Sequence, residues 1–169
     1  MLVYLAGPAG FTEAGRLHHQ QVVVPTVVAA GFGVLDPWAM QGPSGVSEGT
    51  PDSAQCLGAL RTTNRQIGRR NAEMIRDCAA LLAVLDGADV DSGTAAEIGY
   101  AAALARPVVG LRTDTRCSGD NAASVVNLQV EWFIEESGGV VATSLAEAVR
   151  ELGRILGGPS AGPQTRVGS

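Results

Sequence analysis

The run Ala80-Leu-Leu-Ala-Val-Leu85 constrains this chain more than any other feature. Six consecutive side chains carry no polar atom, so a strand built from them must be covered on both faces. That is the position of a central strand in a parallel sheet, with helices above and below. Shorter apolar runs fit the same sheet: Leu2 to Ala6, stopped by Gly7-Pro8; Gly33 to Asp36, stopped by Pro37; Pro107 to Leu111; and Gly139 to Ala142. Between them, apolar residues recur at three- and four-residue steps. This spacing predicts helices over Glu13–Ala30, from Leu60 to about Cys78, Thr94–Ala105, Val125–Glu136 and Ser144 to about Leu156. Pro25 should kink or split the first helix, and Gly31 can cap it. Ser144-Leu-Ala-Glu147 is a capping-box pattern opening the last helix.

The expected fold is therefore α/β, a flavodoxin-like three-layer sandwich with a five-stranded parallel sheet. One domain is expected over residues 1–156, with a disordered Gly/Pro/Ser-rich tail at 157–169. Residues 41–58 are also rich in Gly, Ser and Pro and read as a long loop, of the kind that often serves as a lid. Hydrophobic residues make up 46% of the chain, which excludes a largely disordered protein, and aromatics only 4%, so the core must be aliphatic and rich in Ala. A formal net charge of −5 argues against nucleic acid or an anionic membrane as the main partner. Cys56, Cys78 and Cys117 are odd in number and lack metal-ligand spacing, which favours a reducing cytoplasm and no metal site. The N-terminus reads as a buried strand and not a signal peptide. No apolar run approaches the roughly 18 residues needed to span a bilayer.

In a sheet of this kind ligands bind beyond the carboxyl ends of the strands. The loops at Gly7-Pro8, Asp36-Pro37, Asp86–Gly93 and Arg112–Arg116 should share that rim. Asp91 and Glu97 flank a helix start there. Thr94 is a suitable N-cap, which would place Glu97 at the third helical position, near the positive end of the helix dipole. An ionised carboxylate so placed suits nucleophilic attack on an anomeric carbon. The same spacing, Thr94-x-x-Glu97, is itself a capping box, and Glu97 could simply hold the Thr94 backbone N–H. Spacing alone leaves both roles open.

Other features point less sharply. Gly7-Pro8-Ala9-Gly10 lacks a phosphate-binding pattern and reads as a tight turn. His18 and His19 are adjacent and should face different ways, as surface or partly buried helix residues. Arg112-x-Asp114-x-Arg116 reads as a solvated loop, or as a pair for substrate or for another subunit. Trp132-Phe133 should pack into the core or an interface.

Four stretches together resemble the nucleoside 2-deoxyribosyltransferase family. Tyr4-Leu-Ala-Gly-Pro-Ala-Gly-Phe11 looks like its opening strand and loop. Asn71 to Gly87 looks like its helix and central strand, and Asp91-Ser-Gly-Thr-Ala-Ala-Glu97-Ile-Gly-Tyr-Ala101 like its nucleophile segment. Asn127-Leu128 resembles a pair that the family lends to a neighbouring subunit. The resemblance implies that Glu97 is the nucleophile and that Tyr4 positions it. It implies that Asp91 contacts sugar or base, and that Asn127 reaches the sugar 5′-hydroxyl of an adjacent subunit in a homo-oligomer. Gly7, Phe11, Ser92, Gly93 and Arg112 complete the expected substrate contacts. Nucleoside and free nucleobase are the implied partners, with no cofactor, since a two-step displacement needs only side chains. Asn71 stands where family members often carry Asp, a candidate proton source for the leaving base. A neutral amide cannot supply a proton, and Asn at this place resembles purine-preferring members. Ala79 also replaces an Asp, with only structural consequences expected.

Three activities compete. The first is base exchange between 2′-deoxynucleosides. The second is hydrolysis of nucleosides or of their 5′-monophosphates, for which Arg112, Arg116 and Ser118 could gather around a phosphate. The third is a non-catalytic nucleotide-binding module.

Overall fold

A computed structural model describes residues 1–39 and 54–157. Five strands form one all-parallel sheet: β1 (Leu2–Ala6), β2 (Gly33–Leu35), β3 (Ala80–Val84), β4 (Val108–Leu111) and β5 (Val141–Ala142). Their order is β2-β1-β3-β4-β5, with Tyr4 opposite both Leu35 and Leu81, and Leu111 opposite Val84 and Ala142. This is the flavodoxin-like order, in which the chain reverses its direction of travel between β1 and β3. The apolar run that predicted the central strand is that strand: Ala80 to Ala83 are buried on both faces.

The helices are α1 (Glu13–His18), α2 (Val24–Ala29), α3 (Ala54–Asp77), α4 (Ser92–Ala103), α5 (Leu128–Glu136) and α6 (Leu145–Leu156). Alternation along the strands divides the core in two. Tyr4, Ala6, Leu81 and Ala83 pack with Met74, Ile75, Ile98, Val130 and Ile134 of α3, α4 and α5. Val3, Leu5, Leu82 and Val109 pack on the other face with Val27, Ala148 and Leu152 of α2 and α6. Burying a Leu or Ile side chain in either layer contributes about 1.5–3 kcal/mol. Both layers are mainly aliphatic, in keeping with the scarcity of aromatics, with Tyr4 buried in one and Phe32 in the other.

The single helix expected over Glu13–Ala30 is divided, and Pro25 explains why. It lacks an N–H and its ring crowds the carbonyl one turn earlier. The chain widens into a π-turn over His19–Val23, closed by Val24 N–H donating to the His19 carbonyl, and α2 starts with the proline in its first turn. Gly31, with φ of +88°, ends α2 as expected. The second helix starts earlier than its periodicity suggested. Residues 54–58, read as loop, already belong to α3, and the rest of the expected lid lies outside the described residues, as does the expected disordered tail beyond Gly157. Conversely α5 starts at Leu128, three residues later than predicted, because Asn127 takes the cap. Among the described residues no helix is long and apolar enough to cross a membrane.

Candidate active site

The loops leaving β1, β2 and β3 meet at the carboxyl end of the sheet around a cleft of about 160 Å³. Six residues singled out in the sequence line it: Gly7, Phe11, Asn71, Asp91, Gly93 and Glu97. Tyr4 lies directly beneath. It is fully buried on β1, and its hydroxyl donates to Glu97 Oε1 at 2.6 Å. Pro37, Trp38 and Thr94 complete the lining.

The local structure around Glu97 differs from its sequence reading. Thr94 is not the N-cap. Asp91 is, accepting from the Thr94 backbone N–H at 3.0 Å and from the Thr94 hydroxyl at 3.2 Å. The helix therefore opens at Ser92, and Glu97 is its sixth residue instead of its third. Glu97 does not close a capping box, because the Thr94 N–H is already taken. Nor does the helix dipole account for its charge state, since that effect fades beyond the first turn. Asp91, whose carboxylate satisfies the helix start, leaves Glu97 free to turn inward onto Tyr4.

Burial pushes the Glu97 carboxyl above the usual carboxylate range. The negative charge of Asp91 adds to this, while hydrogen bonds from Tyr4 and the Asn71 amide favour the ionised form and work against it. Burial, then the charge of Glu97, holds the Tyr4 phenol far above its ordinary value, so it remains a proton donor to Glu97. Tyr4 holds Oε1. The site thus contains one partly desolvated carboxylate oriented by one fixed hydroxyl, beside a neutral amide and a second carboxylate.

The opposite side of the cleft is aromatic. Phe11 and Trp38 meet edge to face, with ring centroids 5.0 Å apart and planes at 82°. The Trp38 indole N–H donates to the Gly7 carbonyl at 3.0 Å, and its backbone N–H to Asp36 Oδ1 at 2.9 Å. Asp36 Oδ2 lies 2.9 Å from His19 Nε2. His19, expected at or near the surface, is buried at 5% exposure within the π-turn. Burial works to raise the Asp36 carboxyl. The His19 hydrogen bond and charge, with the Trp38 and Ala39 amides, outweigh it and hold Asp36 below its usual range. An ionised carboxylate only accepts, so Nε2 carries the proton. Sequence reasoning missed Trp38, and the available signal was its place immediately after a short strand on the expected rim.

Two expected contacts, Ser92 and Arg112, are not brought to the cleft, and Asn127, expected at a neighbouring subunit's site, lies at a helix start. Ser92 is the exposed first residue of α4. Arg112 is 4% exposed and donates to the carbonyls of Leu85, Gly87 and Arg116, pinning the loop after β4 to the loop after β3. Asn127 caps α5, its Oδ1 accepting from the Gln129 and Val130 N–H groups. Nor do Arg112, Arg116 and Ser118 assemble a phosphate site. Arg116 is paired with Asp114, and the buried Ser118 hydroxyl has no hydrogen-bond partner among the described residues. Of the adjacent aromatics, Phe133 packs on the core while Trp132 is 55% exposed.

Known proteins share this chain's sequence pattern and fold. A family model described as nucleoside 2-deoxyribosyltransferase matches residues 3–136. Among solved structures, a 2-deoxyribosyltransferase from Leishmania mexicana is 26% identical, with a TM-score of 0.58 over 87% of this chain and 93% of that one. A 2-deoxyribosyltransferase from Bacillus psychrosaccharolyticus is 24% identical, with a TM-score of 0.55 over 79% and 82% of the two chains. A CMP N-glycosidase from Clostridium botulinum is 15% identical, with a TM-score of 0.54 over 90% and 98%. The last two speak to the fold alone. No curated protein sequence matches.

Proposed function

The chain belongs to the nucleoside 2-deoxyribosyltransferase family, and from that premise we propose that it transfers 2-deoxyribose between nucleobases through a covalent glycosyl-Glu97 ester, with a preference for purines. The observation that carries this reading is the Tyr4 hydroxyl held 2.6 Å from Glu97 Oε1 within the cleft. A carboxylate fixed by one oxygen presents the other in a set direction, which is what attack on an anomeric carbon needs.

In the first step Glu97 Oε2 bonds to C1′, and the electron pair of the C1′–N bond passes to the departing base. Asn71 has no proton to give. The base leaves with a proton already on its ring, and the Asn71 amide donates to and accepts from its edge. In the second step a ring nitrogen of the incoming base attacks C1′ on the same face, the ester C–O bond breaks, and the Glu97 carboxylate is restored. The nitrogen's surplus proton passes to water. Two displacements retain the anomeric configuration. Asp91, already the helix cap, directs its remaining acceptor capacity to the sugar.

The active form is a homo-oligomer in which Asn127 reaches a neighbour's sugar. Val125, Leu128 and Trp132, near it in sequence, are 48%, 52% and 55% exposed, apolar side chains that a second subunit would cover. An active protein that sediments as a monomer would overturn this assembly.

Incubation with deoxyinosine, with and without adenine, tests the reaction. Deoxyadenosine formed only with adenine supports transfer, and hypoxanthine released at the same rate without adenine establishes hydrolysis in its place. The fold shared with a CMP N-glycosidase makes hydrolysis the competing outcome. A 2′-fluoro-nucleoside adduct mapped to Glu97 excludes a module that only binds.

A further inference from the structure

We infer that Trp38 is the residue that stacks on the nucleobase, with Asp36 and His19 as positioning residues that fix its ring from behind the cleft. This deepens the proposed function and rests on the cleft holding a base.

A nucleobase is flat, with apolar faces and a polar rim. The cleft supplies both kinds of surface: Phe11 and Trp38 as aromatic area, Asn71 as an amide able to donate and accept. Trp38 is the larger ring and the more constrained. Phe11 is 68% exposed, whereas Trp38 is half-buried and held at four points. Its backbone N–H is fixed by Asp36 and its indole N–H by the Gly7 carbonyl. Phe11 meets it edge to face. Its fourth support is Gly10: a Cβ there would fall 1.9 Å from Trp38 Cε3, so only glycine lets the indole lie against the β1 loop. The preceding residue is Pro37, whose ring limits the backbone.

The indole N–H is already committed to Gly7. Trp38 therefore offers a ligand its π-surface and not a hydrogen bond, which matches stacking on a base. A ring immobilised before binding loses little freedom when a base arrives.

His19 does not line the cleft, and its bond to Asp36 is the reason the inference extends that far. Asp36 uses one oxygen on Trp38 and the other on His19, with side-chain exposures of 11% and 7% for the pair. Without the imidazole, a nearly buried carboxylate loses its partner and the hold on Trp38 loosens. The π-turn is what aims His19 inward, and such turns recur at functional sites.

The chain has two tryptophans, so Trp132→Phe leaves Trp38 as the sole indole emitter. Titrating adenine into that variant should quench its emission saturably. In kinetics, Trp38→Leu should raise KM for deoxyinosine about 10- to 100-fold with kcat little changed, and Trp38→Phe should restore most of the affinity. His19→Ala should raise KM about 5- to 10-fold and weaken the adenine quench, while His19→Gln, which keeps an N–H for Asp36, should recover both. Unquenched Trp38 emission in a protein that turns over deoxyinosine overturns the inference and leaves the proposed function standing. So does a Trp38→Leu enzyme whose KM equals that of Trp38→Phe. Saturable quenching without turnover or an adduct at Glu97 overturns the proposed chemistry and supports Trp38 as the base platform.

Discussion

Two helix starts in this chain carry the same four-residue pattern and end in opposite states. At α6, Ser144-x-x-Glu147 is a cap. Ser144 Oγ accepts from the Glu147 N–H at 3.3 Å, and the Glu147 carboxylate turns back to accept from the Thr143 N–H and hydroxyl at 2.8 and 3.0 Å. Those bonds hold Glu147 below the usual carboxylate range, with the Thr143 N–H the leading cause. At α4, Thr94-x-x-Glu97 caps nothing, and Glu97 is pushed upward by burial. The difference lies three residues upstream. Asp91 supplies an acceptor before Thr94 is needed as one, so the helix opens earlier and Glu97 faces Tyr4. A carboxylate becomes available for chemistry when another residue has already met the demand of the backbone.

The sharpest way to break this contrast is to neutralise each glutamate. Glu97→Gln should lower kcat by about 10⁴-fold or more, since it removes the proposed nucleophile, while Glu147→Gln should leave kcat within about twofold. Comparable losses would mean that the two sites are not different in kind. The stabilities should move in opposite senses. A raised folded-state pKa means that Glu97 contributes stability only while protonated, a contribution fully present below its unfolded value and lost as pH rises through the folded one. Glu97→Gln should therefore raise Tm by a few degrees at pH 7, with the gain vanishing in acid. For Glu147, lowered in the folded state, the stabilisation is present at pH 7 and lost as pH falls, so Glu147→Gln should lower Tm at pH 7.

Tyr4→Phe comes next in size. Loss of a hydrogen bond to a charged group should reduce kcat/KM about 10- to 100-fold. The acid limb of the pH profile should move to higher pH, because the bond favoured ionised Glu97. Asp91→Asn retains a capping oxygen but removes the negative charge near Glu97, so its acid limb should move to lower pH. Profiles shifting the same way in both variants would refute the opposing roles of Tyr4 and Asp91 in setting the charge of Glu97.

The smallest effects are structural. Asp91→Ala and Ser144→Ala each remove an N-cap and should cost about 1 kcal/mol, or about 2–4 °C in Tm. Only Asp91→Ala should also impair catalysis. Equal loss of activity in both would indicate that general loosening of the fold, and not the orientation of Glu97, is being measured.

The sheet was legible because its signal is local and redundant: Ala80–Val84 has no reading but a central strand. Glu97 was legible as a residue of interest, and the structure places it on the cleft against Tyr4. Its geometry was not legible, because Asp91 and Thr94 are both acceptable caps and Tyr4, the partner to which Glu97 turns, lies 93 residues from it in sequence. Arg112 stood on the expected rim, yet its guanidinium bonds to three carbonyls whose positions exist only in the folded chain. Trp38 and His19 lie far apart in sequence and are joined through Asp36, and no periodicity links a π-turn to a strand end.

The long separation of Tyr4 from Glu97 also makes the site a reporter on the assembly of the whole molecule. The two can meet only after β1 and β3 have paired and α4 has docked over them. A partly folded chain that has formed its helices but not its central strands holds Glu97 in no fixed orientation. The stoichiometry of adduct formation at Glu97 should therefore count completely folded and assembled molecules in a preparation, and the lag before reactivity returns on refolding should be no shorter than the time needed to close the middle of the sheet.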